Sequence, residues 1–364
     1  MELKIFVILT FVISALSGWL TIPKIILISK KKKLFDELSA RKSHHGNVPR
    51  LGGVSFFPSF LFSVTLLLGM CYYQGLTVAA SPVEAAAFKD LFFVIAGGTL
   101  LFFDDLSGLS YKPKFVAQIL VGVLLIYGGV GIENLGGLFG LYHIPSSVGW
   151  VLTVLVTVLL VNAYNLIDGI DGLCSGLALL ALGAFGGWFC WNHLYVYGMM
   201  AMGIAGVVSV FFFYNVLGRR MKIFMGDTGS LTLGFLIAFF GLKFYNLNIN
   251  TDMFGIQATP AVFLGIVFIP AFDTLRVFCV RIASGLSPFY PDKRHIHHKM
   301  LRLGLTHFQS AMLIIVMQTC FILMNVLMKN VNINLLFGID LLLGVLLVWQ
   351  LDRMGDRRER KGKA

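Results

Sequence analysis

The sequence predicts an all-α integral membrane protein, and three observations predict it. Hydrophobic residues make up 57% of the 364 and charged residues only 13%, about half the charged share of an ordinary soluble domain. The apolar residues fall in runs of about 17–25, the length a helix needs to cross roughly 30 Å of hydrocarbon. Charges gather in the short stretches between runs, and the positive ones concentrate in alternate connections, as they do when one side is the cytoplasm.

Eleven runs stand out, near 3–28, 51–71, 90–103, 115–132, 147–164, 173–190, 196–217, 230–247, 258–280, 308–328 and 334–351. The first has its basic cluster, Lys30–Lys33, after the apolar stretch. A secretory signal carries its positive charge before that stretch, so the run reads as a retained span with its N-terminus outside. Arg41, Lys42 and Arg50 extend this cluster, Lys112 and Lys114 follow the third run, and Arg219, Arg220 and Lys222 follow the seventh. Arg276 and Arg281 lie near the end of the ninth run, with Lys293, Arg294, Lys299 and Arg302 beyond it. Six more basic residues fill the tail after the eleventh. This side holds most of the 29 basic residues and is assigned to the cytoplasm. The connections 72–89, 133–146 and 246–257 carry almost none and are assigned outside.

The organisation expected is one polytopic domain over 1–352, followed by a basic cytoplasmic tail, 353–364. Topology accounts for the net charge of +11 without a nucleic-acid partner. Pro270 and Asp273 are expected to break the ninth helix, and a carboxylate at that depth commonly lines a protein-filled or watery cavity. The five cysteines lie in or beside apolar runs without CxxC spacing, so neither a disulfide framework nor a thiolate metal site is indicated. No long internal repeat supports an inverted-repeat transporter.

Five polar clusters follow odd-numbered runs and therefore share the cytoplasmic side. They are the stretch 41–53 with His44; Asp104 and Asp105 with Lys112 and Lys114; the stretch 162–172 with Asn162, Asn165, Asp168 and Asp171; Phe224 through Ser230 with Asp227; and Asp292 through His298 with His295, His297 and His298. Asp104 and Asp105 end an apolar run at an insertion cost that asks for a reason. They are either a helix-end pair facing headgroups or an acid/base or metal-positioning pair. Asn165, Asp168, Asp171 and Asp227 supply hard oxygen ligands suited to Mg²⁺, which takes one or two carboxylates together with substrate phosphates and water. Taken alone, each Asx-Gly pair is an ordinary turn. Adjacent histidines make poor tetrahedral zinc geometry. With Lys293, Arg294, Arg281 and Lys114 they form a cation-rich surface suited to phosphates, or a positive loop on anionic lipid. Together the clusters specify phosphoryl transfer between a soluble nucleotide and a lipid, in a cleft on the cytoplasmic face.

In these residues the chain resembles the polyprenyl-phosphate N-acetylhexosamine-1-phosphate transferases, glycosyltransferase family 4, and within it most closely the undecaprenyl-phosphate GlcNAc-1-phosphate transferases. The resemblance covers about residues 5–350 and rests on NxxNxxDGxDGL, GDxGSL and HIHH, in that order. It implies that Asp227 is the principal Mg²⁺ ligand with Asn165 as partner, and that Mn²⁺ could substitute. It implies that Asp104 and Asp105 orient or deprotonate the lipid phosphate, that Lys114 holds the pyrophosphate, and that Phe224 stacks on uracil. Asn162, Asp168 and Asp171 fall in the motif for nucleotide binding and catalysis; Arg281, His295, His297 and His298 fall in the loop that holds the phosphates and sugar; His44 matches a first-loop histidine.

The reaction so implied is attack of a prenyl phosphate oxygen on the β-phosphorus of a UDP-sugar, releasing UMP. A phosphate monoester with a second pKa of about 6 is already largely ionised at neutral pH, so a carboxylate base is not obligatory. His-Ile-His-His in place of three consecutive histidines favours UDP-GlcNAc or a close N-acetylhexosamine. The UDP-MurNAc-pentapeptide of peptidoglycan synthesis is the alternative donor. The setting implied is a bacterial inner membrane and the start of a lipid-linked envelope glycan such as O-antigen, enterobacterial-type antigen, teichoic acid or capsule. The chain could also pair with a second copy. A transporter, or a non-catalytic relative that only binds prenyl phosphate, are the readings from other classes.

Overall fold

The computed structural model describes residues 2–32, 48–78, 81–106, 111–218, 221–250, 254–288, 290 and 292–363. Each apolar run of the sequence falls mainly on helix, although the run at 115–132 is helical only as far as Tyr127. The helices are α1 (Glu2–Lys31), α2 (Phe56–Tyr73) behind a 3-10 turn at Gly52–Ser55, α3 (Pro82–Leu106), α4 (Tyr111–Tyr127), α5 (Ser146–Ile167), α6 (Leu173–Trp191) and α7 (Tyr195–Leu217). They continue with α8 (Asp227–Asn250), α9 (Thr259–Ile266), α10 (Phe268–Ala283), α11 (Ile296–Arg302), α12 (His307–Leu327) and α13 (Ile333–Lys363). Among the described residues nine helices are long and apolar enough to cross a membrane alone, and α9 with α10, bent by 86°, makes a tenth. Helix α4 is apolar but shorter.

The structure departs from an all-α fold in one place. Residues 134–143 form an antiparallel hairpin, β1 (Asn134–Leu138) and β2 (Leu141–His143), that pairs Asn134 with His143 and Leu138 with Leu141. Its two-residue turn takes positive φ at both Phe139 (53°) and Gly140 (77°), a conformation glycine adopts without steric cost. Helix α13 runs without interruption from its apolar part through the basic segment to Lys363.

Helix α8 is the centre of the bundle, buried along nearly its whole length between α5, α3 and α6. Its approach to α5 is backbone to backbone: a Cβ at Gly234 would sit 2.6 Å from the Val161 Cα and 2.8 Å from the Leu160 carbonyl oxygen. Small residues permit such contact between membrane helices, where packing replaces the hydrophobic drive. One ion pair lies inside this apolar core. Lys243 of α8 reaches Asp90 of α3 at 2.7 Å, and the Tyr197 hydroxyl of α7 donates to the same carboxylate oxygen at 2.6 Å.

The break between α9 and α10 falls at Val267, not at Pro270 or Asp273 as the sequence suggested. Pro270 sits in the first turn of α10, where no intrahelical partner exists for an N–H and proline is tolerated. The backbone groups freed at the bend are taken up by Gln318 of α12. Its Nε2 donates to the carbonyls of Gly265 (2.8 Å) and Ile266 (3.0 Å), and its Oε1 accepts from the Ile269 N–H (2.9 Å). Irregular backbone at membrane depth needs such a partner, because the hydrocarbon offers none. Helix α12 itself starts at a reciprocal cap, Gln309 N–H to Thr306 Oγ1 (3.2 Å) and Thr306 N–H to Gln309 Oε1 (2.9 Å).

Candidate active site

The site is assembled at one end of the bundle, where α3 and α5 finish and α4, α6 and α8 begin. Asn162 and Asn165 lie one turn apart on the last part of α5. Asn162 Nδ2 donates to Gln118 Oε1 of α4 at 2.6 Å, and Asn165 Nδ2 donates to Ser230 Oγ of α8 at 2.9 Å. These two amides tie α5 to both neighbours at the level of Asp227, the first residue of α8. The Asp227 carboxylate receives Lys114 Nζ of α4 at 2.8 Å and stands 3.5 Å from Asn165 Nδ2. Its side chain is 54% exposed. Three helices therefore hold one solvent-facing carboxylate between an amide and an ammonium.

Asp227 is set in place by the segment before it. Phe224 donates its N–H to the Pro49 carbonyl (2.8 Å), while Gly52 and Gly53 donate to the carbonyls of Phe224 (3.0 Å) and Met225 (2.8 Å). The pairing is so close that a Cβ on Gly53 would lie 2.1 Å from the Gly229 Cα, so only glycine fits. Phe224 is partly exposed, with Lys222 Nζ 5.8 Å from its ring centre. Lys222 also pairs with Asp171 at 2.6 Å.

Asp168 is exposed on the turn after α5, and Gly172, with φ of 77°, opens α6. The buried Asn215 of α7 accepts from the Gly172 N–H at 2.6 Å and donates to the Ile223 carbonyl at 2.9 Å. One amide thus fixes the turn bearing Asp168 and Asp171 against the loop that leads to Asp227.

The histidine segment closes the other flank. His297 is buried, and its Nε2 packs against Gly169: a Cβ there would meet it at 2.5 Å. His298 lies beside it, with ring centres 4.1 Å apart. His295 is committed elsewhere. Its Nδ1 pairs at 2.9 Å with Asp273 of α10, which also accepts from the Ile296 N–H (3.1 Å) and from Arg276 (2.6 Å). Asp273, read from the sequence as a cavity-lining charge, is instead the buried anchor of α11. Arg281 is only 3% exposed and forks onto Asp292 at 2.9 and 3.0 Å, with a third bond to the Pro288 carbonyl at 2.6 Å. The Asp292 carboxyl is held below the usual carboxylate range first by that guanidinium. These bonds turn the chain back toward α11 and direct Arg281 into the loop.

Burial favours the neutral form of His297 and His298. It pushes His297 down to about 3, with the neighbouring His298 and His295 adding to the effect, and it lowers His298 in the same direction. For His297 and His298 the sequence reading as cations therefore gives way to neutral imidazoles that exchange hydrogen bonds. An ordinary histidine titrates near 6.5. Between about 6.5 and about 3 the unfolded chain takes up a proton that folded His297 refuses, so stability is full above that window and falls as pH drops through it. His297→Gln is expected to remove on the order of 2 kcal/mol of the stability difference between pH 7.5 and pH 5, read from denaturant unfolding in detergent. An unchanged difference in the variant would assign the acid sensitivity to other groups.

The remaining sequence-read positions are placed less fully. His44 lies outside the described residues, and Asp104 and Asp105 occupy the last turn of α3. Gln118, Asn215, Ser230 and Asp273 shape the site without having been candidates. Ser230 could have been found in the GDxGSL motif, and Asp273 from its charge inside an apolar run. Gln118 and Asn215 carry no local signal, because each acts on backbone or side chains brought near only by the fold. Among the described residues no cluster of three or more His, Cys, Asp or Glu could hold a metal ion by itself. Asp227 and Asn165 instead offer one carboxylate and one amide, and a half-turn of that amide brings its oxygen to face the carboxylate. This donor set fits a cation that completes its shell with phosphate and water.

Residues 89–245 match the family described as Glycosyl transferase family 4, the stretch that runs from α3 through α8. The chain is 30% identical over 294 residues to the undecaprenyl-phosphate alpha-N-acetylglucosaminyl 1-phosphate transferase of Escherichia coli (strain K12), covering 79% of this chain and 74% of that protein. It is 32% identical over 339 residues to a Bacillus subtilis (strain 168) protein described as "Probable undecaprenyl-phosphate N-acetylglucosaminyl 1-phosphate transferase", covering 91% and 87%. A Yersinia pestis relative with the same description as the E. coli protein is 30% identical over 305 residues, covering 79% and 74%.

Proposed function

The chain belongs to glycosyl transferase family 4, and from that premise we propose that it transfers N-acetylglucosamine 1-phosphate from UDP-GlcNAc to undecaprenyl phosphate and releases UMP. The observation that carries this reading is the solvent-facing Asp227, held by Lys114 and Asn165 at the meeting point of α4, α5 and α8. A phosphate oxygen of the lipid attacks the β-phosphorus of the nucleotide sugar. The new P–O bond makes the lipid diphosphate sugar, and the bond to the α-phosphate breaks with its electrons leaving on UMP. The protein need supply no nucleophile; it must position two anions and offset their charge.

The residues divide that task. Asp227 and Asn165 would hold a magnesium ion, which when bound supplies charge neutralisation on the diphosphate. Lys114, released from Asp227 in exchange, reaches the pyrophosphate. Phe224 offers a face for uracil, with Lys222 and Asp171 framing it. Asp168, beside the Gly169–His297 contact, lies where the sugar phosphate would be held, and His298 with its neighbour donates hydrogen bonds there. Asp104 and Asp105 at the end of α3 meet the lipid phosphate. Arg281 and His295 act as positioning residues, through Asp292 and Asp273.

The same reading places the site on the cytoplasmic face of a bacterial inner membrane, with eleven spans, the N-terminus outside, residues 1–352 as the transferase domain and 353–364 as a basic tail. It is compatible with a homodimer and does not require one, since every group named comes from one chain. Purified protein given undecaprenyl phosphate, Mg²⁺ and labelled UDP-GlcNAc or UDP-GalNAc in separate reactions is expected to put label into lipid from UDP-GlcNAc, with UMP in equal amount. Transfer from UDP-GalNAc alone would change the sugar. No transfer from either by folded protein would exclude both N-acetylhexosamines and turn the test to UDP-MurNAc-pentapeptide.

A further inference from the structure

Helices α12 and α13 diverge at the end of the bundle that carries the site and leave a groove of about 980 Å³ between them. Leu313 and Met317 line it from α12, and Leu347 and Leu351 from α13. On α13 the positions Leu347, Leu351, Met354 and Arg358 recur at helical spacing, so one stripe turns from apolar to cationic along the groove. Arg357 and Arg360 join Arg358 at its mouth, and all three are exposed.

The charge at that mouth is not balanced from within. The acidic residues nearest on the same helix are taken up by other cations: Asp352 pairs with Lys299, Asp356 with Arg302 at 3.1 Å, and Glu359 with Arg302 at 3.7 Å. Among the described residues, Arg357, Arg358 and Arg360 make no ion pair. An occupant must therefore be apolar along its length and anionic at one end. From Leu347 to Arg358 the helix rises about 16 Å, close to half of the roughly 30 Å hydrocarbon thickness. That length matches one leaflet's acyl chain and is short for a polyprenyl tail.

We propose that this groove binds an anionic phospholipid of the surrounding bilayer, its phosphate on Arg357, Arg358 and Arg360 and an acyl chain between α12 and α13. Basic pockets between membrane helices bind lipid headgroups in this manner. The site is separate from the transferase cleft but shares α11 with it, because Leu303, which follows that helix, lines the groove while His297 at its other end meets Gly169.

Native mass spectrometry of the full-length protein in detergent, titrated with phosphatidylglycerol or phosphatidylcholine, tests this. The wild type is expected to retain phosphatidylglycerol in preference, and Arg357→Gln/Arg358→Gln/Arg360→Gln to lose about ten-fold or more of that retention, at up to about five-fold per arginine. Arg353→Gln, whose guanidinium lies over Trp349 at 5.3 Å, is expected to change it less than about two-fold. Leu347→Trp, which fills the groove without altering charge, is expected to lower retention as well. Equal retention by the triple variant, or an unaltered Leu347→Trp, overturns the proposal. So does displacement by equimolar undecaprenyl phosphate, which would make the groove a prenyl-lipid site, or by inorganic phosphate, which would make it an anion site alone.

Discussion

Asp227→Asn is expected to cut lipid-linked product formation by about 10²–10³-fold while the folded protein survives. The carboxylate is half exposed and, among the described residues, is bonded to Lys114 at 2.8 Å and Asn165 at 3.5 Å. The carboxylate faces solvent and asparagine keeps its shape, so the unfolding free energy should change by no more than about 0.5 kcal/mol. Asparagine keeps the shape and one oxygen but removes the negative charge that a divalent cation requires. Lys114 then no longer has the Asp227 carboxylate competing with donor phosphate. The variant should accordingly hold UDP-GlcNAc in the absence of added metal at least as well as the wild type, while losing turnover. A variant that keeps more than a tenth of wild-type turnover at saturating Mg²⁺ would remove Asp227 from the centre of the proposed site.

Lys243→Met is expected to destabilise the protein by about 3–5 kcal/mol, because it takes the counter-charge from Asp90 in an apolar interior. Asp90 is fully buried and Lys243 nearly so, and the Tyr197 hydroxyl alone remains to the carboxylate. The double variant Lys243→Met/Asp90→Leu should recover most of that loss, since paired charges can often be replaced by apolar groups of similar volume at little cost. Denaturant unfolding of the wild type, Lys243→Met, Asp90→Leu and the double variant gives the coupling directly. A double variant no more stable than Lys243→Met would mean that the pair matters through shape.

The pair also bears on the reaction. Lys243 lies about 24 Å along α8 from Asp227, and Asp90 about 21 Å along α3 from Asp104. Locking Asp90 to Lys243 therefore sets the last turn of α3 nearly level with the start of α8. Slippage of one helix on the other would separate them.

The helices were legible because a membrane leaves little choice: a long apolar run must satisfy its own backbone, and only a helix does so in one segment. The bend in the ninth run was legible as an event but not in place. Proline drew attention to residue 270, whereas what permits the bend is Gln318, some fifty residues away. The hairpin at 134–143 has too many glycines for an alternating pattern and reads as loop. Within the site, Lys114, Asn165 and Asp227 could be chosen from the sequence because charged and amide side chains are conspicuous beside apolar runs. Arg281 and His295 could be chosen too, but their partners Asp292 and Asp273 could not be assigned. Sequence gives a residue's chemistry, while burial decides whether that chemistry is offered to a ligand or used within the chain. The neutral state of His297 follows from the same limit.

The pairing of Pro49, Gly52 and Gly53 with Phe224 and Met225 has a consequence for how the enzyme comes into being. During synthesis the first of these stretches leaves the ribosome long before the second, and α2 through α7 must enter the membrane in between. Until residue 224 arrives, the Pro49 carbonyl and the two glycine amides lack the partners they have in the finished protein. A nascent chain that stops short of α8 can insert its spans and still have no catalytic centre. Assembly of the centre is thus a late, long-range closure in biogenesis, and chains that fail to make it can be told apart by an unzipped first loop.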